Sequence, residues 1–367
     1  MRDIVAKRTT GDVTTAVGTP NIAFIKYWGK RDERLILPHN SSLSMTLSPD
    51  ALRTTTSVMF SDKLKHDVFY IDGKQQDLND KDIAERFNMV NQLRAMAKTD
   101  QRIIVVSNND FPAASGLASS ASGISTLSYA VNHALGLGLD ARELSIIARQ
   151  GSGSSCRSIY GGIVEWHKGV RPDGSDSYAE QLFDEKYWPD IVDNIVVVSQ
   201  EKKKVSSRAG MKQTVETNPL YRSRPDSAEK RLSETVAAYK ARDFDRLAEC
   251  IMADSNEMHA LMLSTRPSIR YLNPVSYEIM DAIEELNTSQ GRNVAAYTFD
   301  AGANANIITL KKSQAMLDSA LKPIRDSGRV LYTKISQVGP SPKILSGEGH
   351  SLIDTKKLAP KSDPASG

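Results

Sequence analysis

Five segments of the chain combine residue types and spacings that could do chemistry. In Pro112-Ala-Ala-Ser-Gly-Leu-Ala-Ser-Ser-Ala-Ser-Gly123, Pro112 and Gly116 shape a turn, and a helix start is predicted within Leu117 to Ser120. Free N–H groups at a helix start, together with the helix dipole, attract an anion. Small side chains would let a polyphosphate approach the backbone, and Ser119 and Ser120 offer hydroxyls to phosphate or metal. No Gly-Lys-Ser/Thr ends the run, so it is not a Walker A loop. The bland alternative is a capped, tightly packed Ala/Ser helix without a ligand.

Gly151-Ser-Gly-Ser-Ser-Cys-Arg157 reads as a flexible polar loop ending in an arginine that could pair with carboxylate or phosphate. A surface turn with a solvated arginine is the competing reading. Lys202-Lys-Lys-Val-Ser-Ser-Arg208 follows an apolar stretch. A charge run is usually a solvated face, but loops after strands often carry sites. Asn21-Ile-Ala-Phe-Ile-Lys-Tyr-Trp-Gly-Lys30 puts Lys26 and Lys30 one helical turn apart, or on one face of an extended strand. Thr298-Phe-Asp-Ala-Gly302 places Asp300 at the end of an apolar strand; alone, such a residue more often forms a turn. Together, lysines, an arginine, a lone carboxylate and serine loops describe a site for an anionic, phosphorylated substrate.

The elements that must position these residues are mixed. Strands are predicted at Arg53 to Phe60, Asp67 to Ile71 (closed by an Asp72-Gly73 turn) and Arg102 to Ser107. Others fall at Gly162 to His167, Asn194 to Ser199, Ala295 to Phe299, Asn306 to Leu310 and Val330 to Ile335. Helical spacing predicts helices over Asp80 to Ala97, Leu117 to Leu135, Ala141 to Gln150, Ser227 to Ala241, Phe244 to Leu263 and Asn273 to Leu286. Without strict βαβ alternation this favours an α+β protein of two interlocked lobes, with a boundary near Asp193.

With 367 residues and 40% hydrophobic content, the chain can bury a large core. The formal charge of +3, with no dense basic stretch beyond Lys202 to Lys204, argues against nucleic acid as a partner. Two cysteines, Cys156 and Cys250, suit a reducing compartment, and no His pair has metal-ligand spacing. No base accompanies Cys156, and there is no Ser-His-Asp motif or dinucleotide fingerprint. No run of eighteen apolar residues predicts a membrane span, and no apolar run near the N-terminus predicts a signal peptide, so a cytoplasmic protein is expected. The segment Lys356 to Gly367 is expected to fray.

In order along the chain, these segments resemble the mevalonate diphosphate decarboxylases of the GHMP small-molecule kinase superfamily. Asn21 to Arg31, with Asn40-Ser-Ser-Leu-Ser44, resembles the family's opening motifs. Phe111 to Ser120, Gly151 to Ser158 with Tyr160-Gly-Gly162, Val205 to Arg208 with Gly210-Met211, Asp254-Ser-Asn256 with Met258-His-Ala260, and Tyr297 to Gly302 continue the series. Gln337-Val-Gly339 and Ser351-Leu-Ile-Asp354 look like its eukaryotic branch, and the match runs from Thr19 to Leu358.

The resemblance implies the GHMP kinase fold, α+β, with ATP and substrate in the cleft between lobes. Residues 1–192 would form the N-terminal lobe (ribosomal S5 domain 2-like) with the phosphate loop, and 193–367 the C-terminal GHMP lobe with the catalytic aspartate. It implies a homodimer that converts ATP and mevalonate 5-diphosphate to isopentenyl diphosphate, carbon dioxide, ADP and phosphate, with Mg2+, in the mevalonate pathway of isoprenoid and sterol synthesis. Asp300, Lys26, Arg157 and Ser120 match catalytic positions: Asp300 beside the C3 hydroxyl, Lys26 holding Asp300 ionised, Arg157 gripping the C1 carboxylate. Asn109, Pro112, Ser115, Gly116, Leu117, Ala118, Ser119 and Ser120 match the ATP-binding set, the last two also as metal candidates. Tyr27, Lys30, Ser152, Ser154, Ser207, Arg208 and Met211 match substrate contacts, mainly around the diphosphate. Three positions depart from the family pattern: Asp110 for Asn, Ser115 for Ala, and Ala303 for the proline after Asp-Ala-Gly, which would loosen the Asp300 loop. A decarboxylase of a related mevalonate phosphate, or a non-catalytic binding protein on this scaffold, are the alternative readings.

Overall fold

The computed structural model describes residues 11–111, 119–201 and 203–361. Helix ends follow local chemistry. Asp80 caps Lys81–Met96 by accepting from Ile83 N, and Asp140 with Glu143 forms a reciprocal capping box at Ala141–Gly151. Pro274 opens Pro274–Gln290, which Gly291 ends in the left-handed region at φ 63°. Asp72 and Gly73, both at positive φ, turn Val68–Ile71 back onto Lys74–Gln75.

Three sheets carry the architecture. A six-stranded sheet orders Lys343–Leu345, Thr14–Gly18, Thr54–Ser61, Arg102–Asn109, Val68–Ile71 and Lys74–Gln75, with one parallel pairing, Val68–Ile71 on Arg102–Asn109. A four-stranded sheet orders Ala179–Phe183, Ile163–Trp166, Ser42–Thr46 and Asn21–Ile25; the other orders Ala295–Phe299, Ala305–Leu310, Ile191–Val197 and Tyr332–Gln337. The α+β expectation holds. Asp193 lies inside the strand Ile191–Val197, and Lys343–Leu345 returns to pair with Thr14–Gly18.

The largest core joins both halves of the chain. Ile22, Phe24 and Leu43 pack in one cluster with Ile195, Tyr239, Leu247 and Ile308. Burying that much apolar surface between the sheets fixes the halves against each other. Helices Ser119–Ala134 and Lys81–Met96 share a second core with the six-stranded sheet, and Pro274–Gln290 and Gln314–Asp326 share a third with the C-terminal sheet.

Several sequence expectations need correction. Asn21–Ile25 and Ser42–Thr46, not anticipated as strands, have every residue buried; Ser42–Thr46 alternates polar and apolar residues, but its polar face meets Arg157 instead of water. Gly151 to Arg157 is no flexible loop: Gly151 ends a helix and Gly153–Ile159 forms a buried 3-10 helix. Lys26 and Lys30 lie neither on a helical turn nor on one strand, because Gly29 (φ 109°) breaks the path between Asn21–Ile25 and Lys30–Asp32. The tail is ordered as far as Lys361, since Ile353–Asp354 pairs with Ala359–Pro360 and Lys361 N donates to Leu352 O. Residues 362–367 lie outside the described residues. Helices Ser207–Thr217 and Gln314–Asp326 were not anticipated.

Candidate active site

Lys26 leaves the strand Asn21–Ile25 with only 1% of its surface exposed. Its main chain is fixed on both sides. Lys26 N donates to Asp254 Oδ2 (2.7 Å), and its carbonyl accepts from Asn40 Nδ2 and Arg224 Nη2 (both 3.1 Å). Asp254 and Arg224 are wholly buried and doubly paired, Nη1 to Oδ1 at 2.7 Å and Nη2 to Oδ2 at 3.0 Å; Arg231 and Glu257 complete the cluster. Burial pushes the Asp254 carboxyl up, but Arg224 and Arg231 overcome it and hold it below its ordinary value.

The Lys26 ammonium reaches Asp300, Nζ to Oδ1 at 2.7 Å. Asp300 follows the buried strand Ala295–Phe299, whose last amide, Phe299 N, donates to Ser255 Oγ (3.0 Å). The loop beyond is braced without a proline. Ser276 Oγ donates to Ala303 O, and Asn304 Oδ1 accepts from Val198 N and Ser199 N. Burial pushes the Asp300 carboxyl up, while Lys26, helped by Lys203 and Arg157, brings it below its ordinary value. His259 nearby is held neutral, pushed down to about 4 by burial and by Lys26.

Arg157 is 2% exposed. Its Nε donates to Ser44 Oγ (2.9 Å) and Asn21 Oδ1 (3.3 Å), and Nη1 donates to Ser42 Oγ (2.6 Å). Ser42 and Ser44 share one face of their strand because side chains alternate, while Leu43 and Met45 enter the core behind. Among the described residues Nη2 has no hydrogen-bond partner, and no carboxylate lies within ion-pair distance of Arg157. A buried guanidinium held only by neutral groups is poised for an anion.

These side chains line one cleft of about 560 Å³. Lys26, Asp300, Arg157 and Ser120 share it with Tyr27, Lys30, Ser152, Ser154, Ser207, Arg208 and Met211. Tyr27 packs edge-on to Trp166 and over Gly153, where a Cβ would lie 2.7 Å from Tyr27 Cε1. Lys30, 8% exposed, pairs with Glu33. Arg208 donates to Glu85 Oε2 (2.9 Å) and to Gly151 O (2.8 Å). Ser120 Oγ is 3.4 Å from Ser152 Oγ. Asn109 ends the strand Arg102–Asn109 and does not line this cleft; its side chain is bonded to Thr54 and Asp72. Asp110 is tied to Arg53, its Oδ1 accepting from Arg53 N at 2.7 Å. Pro112, Ser115, Gly116, Leu117, Ala118 and the Ser119 side chain lie outside the described residues.

Sequence reasoning missed Arg224 and missed Arg86 as a cleft residue; it singled out the run Lys202 to Arg208 without choosing Lys203 within it. Of the lysine run, Lys203 enters the cleft and Lys204 is exposed; Lys202 is outside the described residues. Burial pushes the Lys203 ammonium down, and Asp300 draws it back. No spacing rule could have found Arg224, which acts through a contact 198 residues away in sequence.

Two family models cover the chain: the diphosphomevalonate decarboxylase-like N-terminal domain over residues 18–179 and the mevalonate 5-diphosphate decarboxylase C-terminal domain over 194–345. The chain belongs to the diphosphomevalonate decarboxylase family. It is 38% identical to human diphosphomevalonate decarboxylase over 375 residues, covering 90% of this chain and 93% of the relative. The structure of mevalonate diphosphate decarboxylase from Trypanosoma brucei superposes with a TM-score of 0.84 at 36% identity, over 94% of this chain and all of that one. A structure described as MDDEF in complex with MVAPP, AMPPCP and magnesium superposes with a TM-score of 0.81 at 37% identity, over 91% and 99% of the two chains. The fold is therefore the two-lobed α+β fold of these decarboxylases, of GHMP kinase type.

Proposed function

We infer that the chain catalyses the ATP-dependent decarboxylation of mevalonate 5-diphosphate to isopentenyl diphosphate, with C3 phosphorylation preceding loss of carbon dioxide. The observation that carries this is the placing of Arg157, a buried cation without a carboxylate partner, in the cleft with the Lys26–Asp300 pair. A kinase alone would need the second group but not a dedicated carboxylate grip.

In this reading Asp300 meets the tertiary C3 hydroxyl through the oxygen that Lys26 leaves open. A carboxylate held below its ordinary value is a weak base, so orienting the hydroxyl and stabilising developing positive charge fit better than early proton removal. The γ-phosphoryl group passes from ATP to the C3 oxygen and ADP leaves; the hydroxyl proton passes late in that step to the open Asp300 oxygen, while Lys26 and Lys203 offset the phosphoryl charge. Departure of that oxygen as phosphate leaves cationic character at C3. The C1–C2 bond then breaks, its electrons forming the C2–C3 double bond and releasing carbon dioxide from the carboxylate held by Arg157. Tyr27, Lys30, Ser152, Ser154, Ser207, Arg208 and Met211 hold the substrate, the cations at its diphosphate.

The ATP triphosphate belongs at the start of Ser119–Ala134, with Asn109, Pro112, Ser115, Gly116, Leu117, Ala118, Ser119 and Ser120 as its binding set. Mg2+ would be held by phosphate oxygens with the hydroxyls of Ser119 and Ser120, a hard oxygen donor set that suits this ion. It supplies charge neutralisation to the transferring group. Residues 1–192 and 193–367 as the two lobes, a homodimer, and a cytoplasmic location in the mevalonate pathway belong to the same reading. A coupled assay comparing mevalonate 5-phosphate with the 5-diphosphate, reading ADP and carbon dioxide together, tests the function. ADP without carbon dioxide, or turnover only of the monophosphate, would overturn it.

A further inference from the structure

We propose that Tyr221 is a positioning residue for substrate binding: its hydroxyl clasps the Tyr27–Lys30 turn from the C-terminal half of the chain, through a hydrogen bond distinct from those that hold Lys26. The proposal rests on the reading of Lys30 and Tyr27 as substrate contacts.

Gly29 sits at φ 109°, and a Cβ there would lie 1.7 Å from Tyr221 Oη and 2.6 Å from Tyr221 Cζ. The turn is therefore built around this hydroxyl, with both backbone freedom and space demanding glycine. Tyr221 is 6% exposed and donates to Trp28 O at 2.9 Å. A phenol has one hydrogen, so its second contact, His39 Nδ1 at 2.9 Å, must donate to it. Burial and Arg31 push the His39 imidazole below its ordinary value, so the ring is neutral with its hydrogen on Nδ1. On the other side of the turn, Trp28 Nε1 donates to Thr214 Oγ1 at 3.1 Å. Trp28 is thus held at its carbonyl and its indole, and the residues on either side of the Trp28-Gly29 pair are Tyr27 and Lys30.

Lys26 has different supports. Its main chain is bonded to Asp254 on the helix Phe244–Ser264, to Arg224 and to Asn40, none of which touches the Tyr221 hydroxyl. The two anchors meet in the chain, since Arg224 N donates to Tyr221 O, but the bond that Tyr221→Phe deletes is none of those that hold Lys26, so its loss is expected in binding first.

Tyr221→Phe keeps the ring and deletes the clasp. It is expected to raise KM for mevalonate 5-diphosphate about fivefold, the size of one neutral hydrogen bond. kcat and KM for ATP stay within about twofold, and the melting temperature shows whether the fold persists. In the Lys30→Ala background, adding Tyr221→Phe should raise KM by a smaller factor, because only the part of the clasp that acts through Tyr27 remains. The same fold rise in both backgrounds, or a fall in kcat at constant KM, overturns the proposal. If Lys30→Ala alone leaves KM unchanged, the reading of Lys30 as a substrate contact fails. If Lys30→Ala raises KM and Tyr221→Phe does not, the proposal fails with that reading intact.

Discussion

The Lys26 ammonium lies 2.7 Å from the Asp300 carboxylate, although 274 residues separate them in sequence. Each comes from the end of a fully buried strand, one in each half of the chain. Their pairing therefore depends on the shared apolar core that holds those halves together.

Asp300→Asn should cut turnover by several orders of magnitude while folding and ATP binding survive. The change is nearly isosteric, so it creates no cavity, but it leaves Lys26 buried without its counter-ion. Steady-state kinetics with a nucleotide-binding measurement checks this. A variant that keeps even about a tenth of wild-type turnover would remove Asp300 from the reacting centre.

Arg208→Ala is expected to raise KM for the diphosphate with little change in kcat. Arg208 bonds Gly151 O and Glu85 at the cleft rim, away from the Lys26–Asp300 pair, so its loss removes binding felt equally by ground and transition states. A large drop in kcat at constant KM would place it at the chemistry instead.

Arg157→Gln should uncouple the two halves of the reaction. A lost charged hydrogen bond at a buried site costs roughly 1.5–3 kcal/mol, about tenfold to a hundredfold in the affected step. Carbon–carbon cleavage needs the carboxylate oriented, so decarboxylation should suffer more than phosphorylation. Rapid-quench analysis should show ADP ahead of carbon dioxide and some 3-phosphorylated intermediate. If both products fall together, Arg157 positions the whole substrate for phosphoryl transfer.

Asp193→Asn should flatten the dependence of stability on pH. Asp193 is wholly buried; its Oδ2 accepts from Asn306 Nδ2 at 3.0 Å, and the Ile307 backbone amide faces the carboxyl. Burial pushes its carboxyl up to about 7, against the opposing pull of Asn306, the Ile307 backbone amide and Lys26, from an ordinary value of 3.8. Between those two values the folded state keeps a proton that the unfolded chain has released. Stability is therefore lost as pH rises through that window. Urea midpoints from about pH 5 to about pH 7.5 should fall less in the variant, and an unchanged slope would refute the buried-proton account.

Local patterns in the sequence were enough to locate much of the framework. The strand Ala295–Phe299 has the expected bounds, and the helices Lys81–Met96, Ala141–Gly151 and Phe244–Ser264 differ from expectation by a residue or two at their ends. Their caps, periodicity and apolar faces are properties of neighbouring residues, which a linear reading can see. The strands Asn21–Ile25 and Ser42–Thr46 were harder. Asn21–Ile25 is a mostly apolar run without alternation, and the alternation of Ser42–Thr46 looks like a half-exposed strand although both its faces are buried, the polar one against Arg157.

The sequence by itself determined the reactive residue types, their order and the family they resemble, because those reside in short motifs around Lys26, Arg157, Arg208 and Asp300. Tertiary structure decided which of them share a cleft, and which supports hold them there. Arg157 changed from a possible surface arginine to a buried one by packing beneath Ser42, Ser44 and Asn21. Arg224 and Tyr221 became supports for the Lys26–Lys30 segment through contacts 198 and 193 residues away along the chain. Burial, counter-ion distance and hydrogen-bond direction depend on separation in space, and only the shared core converts those sequence separations into a few ångströms.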